Sequence, residues 1–557
     1  MFLFWGFFLV GLSLVFFLIG LFSLVLMNVL LYEYMLWEMG NLEIKLYFLV
    51  DWMSMMFLAV VLFISGMVVV YSEGYMEGDK NKIYFLYGVL LFVASMVMLI
   101  VSPNMIMILL GWDGLGLVSY CLVIFYQNYK SENAGMITVL SNRVGDVMIL
   151  LSIVLLLNFG SLDFFLFKSM MGVVGLFLIV AGMTKSAQIP FAAWLPMAMA
   201  APTPVSSLVH SSTLVTAGVY LLIRLSMLFE INMYSKFLLS FSFLTMFMSG
   251  LGALLEMDLK KVIALSTLSQ LGLMMVILAV GMKDLSFFHL LTHAMFKATL
   301  FLCAGLMIHN SLGGQDIRFM GGYFYSNPLI SGMFGLVSFS LFGLPFLSGF
   351  YSSDAILEFI YSNEKSLMVI GLLVLSTLTT CMYSLRLLYY SVWSGVLSGS
   401  AMLGAPFIYS MEIPILVMGG VVVFFGSMMS WVVFPYPILF FLKLWIKEIN
   451  LVLLLLAFWW FFFGYFDYKL YFLKIWGSDF CSSLWFLSWV TSLVTMKAMK
   501  GSNFYSKMEL EWMEEVGPSG LHDLNTSVSK MVQWFQMSDV FLYMLFLVFY
   551  LYLMIIF

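Results

Sequence analysis

The chain is poor in charge. Of its 557 residues only 10% are Asp, Glu, Lys or Arg, and 63% are hydrophobic; an average soluble chain carries about 25% charged residues. Charge at this density cannot cover a water-facing surface, which excludes a cytosolic enzyme and a disordered chain. The net charge of -5 is small and diffuse, so nucleic acid is excluded as a partner. Cysteine is scarce too. Cys121, Cys303, Cys381 and Cys481 are scattered with no C-x-x-C pair, which argues against a disulfide framework, a zinc site or a bound iron–sulfur cluster. Strict alternation is absent from the long apolar runs, so a β-barrel is excluded. Arginine occurs only four times, against 47 Met and 56 Phe. That skew fits an AT-rich genome whose code gives Met a second codon, as in many mitochondria. The first residues lack a basic stretch and a small-residue cleavage site, so 1–31 reads as a retained span and not a signal peptide.

What is present is apolar sequence in long runs, with a mean hydropathy of +1.06. A bilayer span needs about 20 such residues. Fifteen candidate spans fall at 2–31, 53–71, 83–101, 104–126, 136–158, 170–187, 203–229, 236–256, 262–282, 287–310, 327–350, 367–391, 412–434, 450–467 and 538–557. The expectation is an all-α polytopic membrane protein of about 15 transmembrane helices, the first a single tilted helix. Its parts are N-terminal helices at 1–101, a core at 102–391, C-terminal helices at 392–469, an amphipathic surface helix at 470–537 and a terminal anchor at 538–557. The 470–537 segment mixes apolar residues with Lys497, Glu514, Glu515 and Asp523, too polar to span and too apolar for a free loop.

Two features interrupt the core. Pro190, Pro196, Pro202 and Pro204 cluster within fifteen residues, and a second break lies in the Gly343 to Gly349 stretch around Pro345. Proline removes an amide donor and clashes with the preceding turn, so both sites predict broken helices. Paired breaks in two similar blocks mark a transporter of inverted repeats; the blocks expected are 104–229 and 258–391, of five spans each.

Away from the edge residues of the apolar runs, seven charges fall inside them: Asp113, Arg143, Asp146, Lys185, Arg224, Lys297 and Arg386. A central charge costs about 2.5–3.5 kcal/mol on insertion scales, so such residues point to function. Arg224 and Arg386 sit near span ends, where snorkelling to the interface accounts for them. Asp113 lies among Gly111, Gly114 and Gly116, which allow close helix approach and whose spacing is wrong for a dinucleotide site. Lys185 precedes the proline break by about one turn. Thr184 stands where a phosphate loop needs Gly, so that reading fails. His289, His293 and Lys297 are spaced i, i+4 and i+8 and share one helix face; a proton relay, core hydrogen bonding and a metal site completed from another span are the three readings. His210 sits beside Ser211, Ser212 and Thr213, in a core or on a hydrated path. Arg143 and Asp146 can pair locally, and Asp258, Lys260 and Lys261 open a span as interfacial charges do.

Together the strings Gly111-Trp112-Asp113-Gly114-Leu115-Gly116, Asn142-Arg143-Val144-Gly145-Asp146, Lys185-Ser186-Ala187-Gln188, Trp194-Leu195-Pro196, Pro202-Thr203-Pro204-Val205-Ser206, His289-Leu290-Leu291-Thr292-His293-Ala294-Met295-Phe296-Lys297, Gly313-Gly314-Gln315-Asp316-Ile317-Arg318 and Gly349-Phe350-Tyr351-Ser352 resemble the antiporter-like subunits of proton-pumping NADH:ubiquinone oxidoreductase (respiratory complex I). The long C-terminal surface segment and last span resemble the lateral helix of one of these subunits. The resemblance implies a mitochondrial inner-membrane protein of the distal membrane arm. Its partners would be other membrane-arm subunits, contacted by the lateral helix, together with membrane phospholipids. NADH, FMN, iron–sulfur clusters and ubiquinone would belong to partner chains, with no cofactor on this one. It implies a relay of Asp113, Lys185, His210, His289, His293 and Lys297, with Asp113 paired to Lys185. Arg143, Asp146, Asp258, Lys260 and Asp354 would lie on access or coupling routes. Two departures stand out. Ser353 occupies the position where the family usually has Lys, and the N-terminal region looks one span shorter. An Mrp-like sodium/proton antiporter subunit and a structural scaffold are the alternatives.

Overall fold

The computed structural model describes all residues except 40–41, 159–171, 364–365, 395–407, 437–441, 465–476, 538–539 and 557. Two compact units emerge, Met1–Leu487 and Ser488–Phe557. The first begins with α1 (Phe2–Leu26) and an antiparallel hairpin of β1 (Leu30–Met39) and β2 (Leu42–Val50). The hairpin was not expected in an all-α chain. Its β1 run, Tyr32-Glu33-Tyr34 onward, is rich in aromatics that favour a pleated surface.

Helices then follow as α2 (Trp52–Tyr75), α3 (Lys82–Val101), α4 (Met105–Val123), α5 (Tyr129–Leu157), α6 (Gly172–Lys185), α7 (Phe191–Ala200) and α8 (Thr203–Arg224). The next set is α9 (Asn232–Leu255), α10 (Leu259–Ala279), α11 (Lys283–Asn310), α12 (Pro328–Leu341), α13 (Ser348–Asn363), α14 (Leu367–Leu388), α15 (Tyr409–Val433) and α16 (Ile449–Trp459). In lipid every backbone polar group must be satisfied internally, which is why nearly every apolar run resolves into a helix.

Each of the fifteen expected runs holds a helix, but fewer are long enough to cross a bilayer. Among the described residues eleven are, or twelve if one bent C-terminal pair counts as a span. The other four expected runs fall on α6 and α12, of 14 residues each, on the 11-residue α16 and on the 17-residue C-terminal helix. The first two are short for a physical reason: they are halves of broken helices, continued after the breaks by α7 and α13.

The expected blocks 104–229 and 258–391 each hold four spans when a broken helix counts once; five result only when α3 and α9 are included. Packing then follows one pattern twice. In the first set α3 packs on α4 and α8, α4 on α5, α5 on α6 and α7, and α6 on α8. In the second, α9 packs on α10 and α14, α10 on α11, α11 on α12 and α13, and α12 on α14. The two sets meet where α11 packs on α8. Accordingly α8, α10 and α11 are buried on all sides.

The second unit is helical: α17 (Leu487–Lys507), α18 (Pro518–Met537) and α19 (Val540–Ile556). The Leu487–Gln536 stretch and the Val540–Ile555 helix meet at 90°. The first part of the expected surface segment, 470–476, lies outside the described residues.

Candidate functional site

Glycine lets the first set close on its charges. A Cβ on Gly111 would stand 2.8 Å from the Leu99 amide nitrogen of α3, so α3 and α4 approach as the glycines of α4 lead one to expect. One on Gly218 of α8 would meet the Gly182 carbonyl at 2.6 Å and the Ser186 amide at 3.0 Å. That contact seats α8 against the end of α6, where Lys185 closes the helix.

The pair expected between Asp113 and Lys185 is not a direct one. Among the described residues no carboxylate lies within ion-pair distance of the fully buried Lys185. Its Nζ donates to the Trp112 carbonyl at 2.8 Å and stands 4.6 Å from the centre of the Trp112 ring. The cation that reaches the carboxylates is Arg143, whose Nη1 lies 3.2 Å from Asp146 and 3.5 Å from Asp113. The local Arg143–Asp146 pair is therefore present, and it extends across to α4. Around it, Trp112 Nε1, Asp113 Oδ1 and both polar atoms of the Asn142 side chain have no protein partner among the described residues.

His210 lies in a feature that sequence reading did not foresee. Residues Ser206–Thr213 form a π-helical stretch, a rare geometry concentrated at functional sites. Its hydroxyls turn to backbone carbonyls, with Thr213 Oγ1 donating to the Leu208 carbonyl at 2.8 Å. His210 is left with neither ring nitrogen bonded to protein among the described residues, and its ring lies 6.0 Å from that of Trp194.

On α11 the predicted face is intact: His289, His293 and Lys297 are all buried. It meets polar residues of α10 in antiparallel order. Lys297 Nζ donates to Ser266 Oγ at 2.6 Å, and His289 Nε2 lies 3.1 Å from Gln270 Oε1. An amide oxygen only accepts, so His289 donates from Nε2. Its Nδ1, 2.9 Å from Ser352 Oγ, then accepts in the neutral ring and donates in the protonated one. A rotating hydroxyl thus serves both charge states. His293 has no protein partner for either nitrogen among the described residues. The centres of the two histidine rings are 6.3 Å apart.

Of the access and coupling residues, Arg143 and Asp146 sit against Asp113, and Asp258, Lys260 and Asp354 have other partners. Lys260 is buried and donates to the Ala201 carbonyl at 3.2 Å, beside the proline break. Asp258 pairs with Lys261 at 2.9 Å and forms a backbone bridge with Asp316. On α13, Asp354 accepts from Asn450 of α16 at 2.5 Å.

Both outer arginines have specific protein partners, and Arg386 is enclosed by protein instead of snorkelling. Arg224 pairs with Asp51 at 2.5 Å and donates to Tyr220 at 2.9 Å, joining the end of α8 to the start of α2. Arg386 is 2% exposed and donates to the carbonyls of Ala253, Leu254 and Glu256. It caps the C-terminus of α9, where a cation meets the negative end of the helix dipole.

Sequence reading missed Ser266, Gln270, Ser352 and Asn450. The signal for the first two was weak: small polar residues in a run otherwise apolar, a pattern that hydroxyls bonded to their own helix also produce.

Comparison with known proteins gives the family and the fold. Residues 37–86 match the family described as NADH-Ubiquinone oxidoreductase (complex I), chain 5 N-terminus. Residues 102–379 match NADH:quinone oxidoreductase/Mrp antiporter, TM, and 383–557 match NADH dehydrogenase subunit 5 C-terminus. NADH-ubiquinone oxidoreductase chain 5 of Aedes aegypti is 46% identical over 551 residues, covering 96% of this chain and 95% of that one. Its counterpart from Locusta migratoria is 45% identical over 563 residues, 98% of both. The solved Mrp complex from Dietzia sp. DQ12-45-1b shares the fold with a TM-score of 0.74 at 22% identity, over 95% of this chain and 59% of that one. The chain belongs to the NADH-ubiquinone oxidoreductase chain 5 family, the subunits of a proton-translocating membrane enzyme complex.

Proposed function

We propose that this chain moves protons across the mitochondrial inner membrane through one line of side chains. The line runs from the partly exposed Asp113 and Arg143, with the buried Asp146 and Lys185, through His210, to Lys297, His293 and His289 in turn. Asp258, Lys260 and Asp354 serve the routes in and out. Two five-helix repeats, α3 to α8 and α9 to α14, carry one half each.

One observation supports this above the rest. Titratable side chains lie fully buried in both helix sets, and several of their polar atoms have no protein partner among the described residues. Each such atom costs about 1–3 kcal/mol if left dry. Water removes that cost, and water beside titratable groups is what proton transfer requires. A charge buried without a counter-charge carries several kcal/mol of desolvation. Moving a proton against the membrane potential takes about 2.3 kcal/mol per 100 mV, so protonation changes here are of the right size.

The energy comes from partner subunits. NADH oxidation and ubiquinone reduction, with their FMN and iron–sulfur clusters, belong to those chains. The α17–α18 stretch would lie along membrane-arm subunits and phospholipids at the membrane surface. The fold it shares with the Mrp complex favours a second reading, sodium/proton exchange, which predicts sodium-dependent exchange by the isolated chain.

The test uses the intact complex in sealed vesicles. Lys185→Ala and Lys297→Ala should each lower the protons moved per NADH or block turnover. Normal pumping and turnover in both would sink the relay and favour a scaffold.

A further inference from the structure

A cavity of about 60 Å³ lies between α10, the α12–α13 break, α14 and α16. Its walls are apolar over most of their area, with a polar stretch that includes Ser269, Gln270, Ser353, Asp354, Thr377 and Asn450. A water needs about 10–15 Å³ of such space and two to four polar partners, so there is room for about four along that stretch. Gln270 is shared with the proposed relay, since its amide oxygen holds His289. At the opposite wall, Asn450 Nδ2 donates to Asp354 Oδ1 at 2.5 Å. The amide Oδ1 accepts from the Tyr361 hydroxyl at 3.3 Å, and turning the amide round would set that oxygen against the Asp354 carboxylate. No other protein donor to Asp354 is present among the described residues, which leaves its second oxygen for a proton. Ser353 does not compete for that role: its hydroxyl donates to the Gly349 carbonyl at 2.7 Å.

We propose that Asn450 is a positioning residue for proton transfer: hydrogen-bonded to Tyr361, it holds the Asp354 carboxylate against a water-filled cavity that continues the relay beyond His289 and Gln270. This rests on the function proposed above. A hydronium in the cavity gives its proton to Asp354 Oδ2 and reverts to water. The carboxylic acid then passes the proton to the next water and is restored as carboxylate. The cavity carries the step without a lysine at position 353. Asn450 stands on α16, outside both helix sets, so the C-terminal part of the unit shapes the proton path as well as packing against it. The charged group acting on Asp354 is Lys447, just before α16, and Asp354 in turn acts on Glu358, one turn along α13, and on Tyr361.

The experiment compares Asn450→Leu, Asn450→Ser and Tyr361→Phe in the intact complex, reading protons per NADH, the pH profile of pumping and the KM for NADH. Losing a charge-assisted donor changes the proton affinity of a carboxylate. Asn450→Leu should therefore cut pumping about tenfold and displace its pH profile by about one unit, with KM unchanged. Asn450→Ser, which keeps a donor, should stay within about twofold, and Tyr361→Phe should fall between them. Should Asn450→Leu fail to assemble, the Tyr361→Phe profile decides alone, since it removes only the hydroxyl that orients the amide. An unchanged profile and yield in the assembled variants would overturn the proposal. Lys297→Ala, run in parallel, separates the failures: if it stops pumping while the Asn450 and Tyr361 variants behave as native, the relay stands and the Asn450 role falls. If it pumps normally, both fall.

Discussion

The two helix sets repeat one packing pattern but fill it with different chemistry. In the first, the ionisable groups are fixed charges: an exposed Arg143 between the partly exposed Asp113 and the buried Asp146, and Lys185 fully buried on the Trp112 carbonyl. In the second, α11 carries two imidazoles and Lys297, whose hydrogen-bond partners are a hydroxyl and an amide. No carboxylate pairs with Lys297 among the described residues. A set built on ion pairs tolerates the loss of one member, because the others re-pair. A set with one ammonium and no counter-charge does not. The first set is suited to holding and releasing charge, and the second to handing a proton along neutral groups.

That contrast is open to direct attack. The largest effect expected is at Lys297. Lys297→Ala should reduce coupled turnover by about 100-fold, the scale of a lost general acid–base group. Lys185→Ala should reduce it by about tenfold, since Arg143 stays beside Asp113 and Asp146. Equal losses in steady-state NADH oxidation would erase the distinction. Next comes the Arg143 bridge. Asp113→Asn and Asp146→Asn should each cost about threefold, and the double variant more than their product, because both share one partner. Multiplying effects would mean that the two carboxylates act independently. Gln270→Leu should slow turnover about threefold by leaving the His289 donor unpaired, with the amount of assembled complex on native gels as the control.

The smallest effect lies outside the membrane. Hydrogen bonds from the Arg318 guanidinium and backbone amide, together with its charge, hold the Asp316 carboxyl below the usual carboxylate range. A lowered folded value means the stabilisation is present above the unfolded value, about 3.9, and is lost as pH falls through the folded one. The pair is exposed, so Asp316→Asn should cost under about 1 kcal/mol. It should leave proton pumping unchanged, as thermal denaturation and vesicle assays would show.

Much of this was legible in the chain. The prolines placed both breaks, and the i, i+4, i+8 spacing placed His289, His293 and Lys297 on one face, because each depends only on local geometry. The pairing of Asp113 was misread since two cations, Arg143 and Lys185, compete for it. Which one reaches it depends on how closely α5 and α6 approach α4. The π-helical turn at His210 escaped because its sequence, Ser and Thr around one His, also suits an ordinary helix. Arg386 was misread for a similar reason: its place near a span end fits snorkelling, and only the fold brings the end of α9 within its reach. Asn450, 96 residues from Asp354 along the chain, carried no local signal at all.

The central claim is that water joins the two sets into one path. A structure of the intact complex with ordered water resolved tests it most directly. The account predicts waters within hydrogen-bond distance of both ring nitrogens of His210 and His293 and of the Asn142 amide, linked from Lys185 to Lys297. Dry, apolar surroundings at those nitrogens, with no water between the sets, would contradict it.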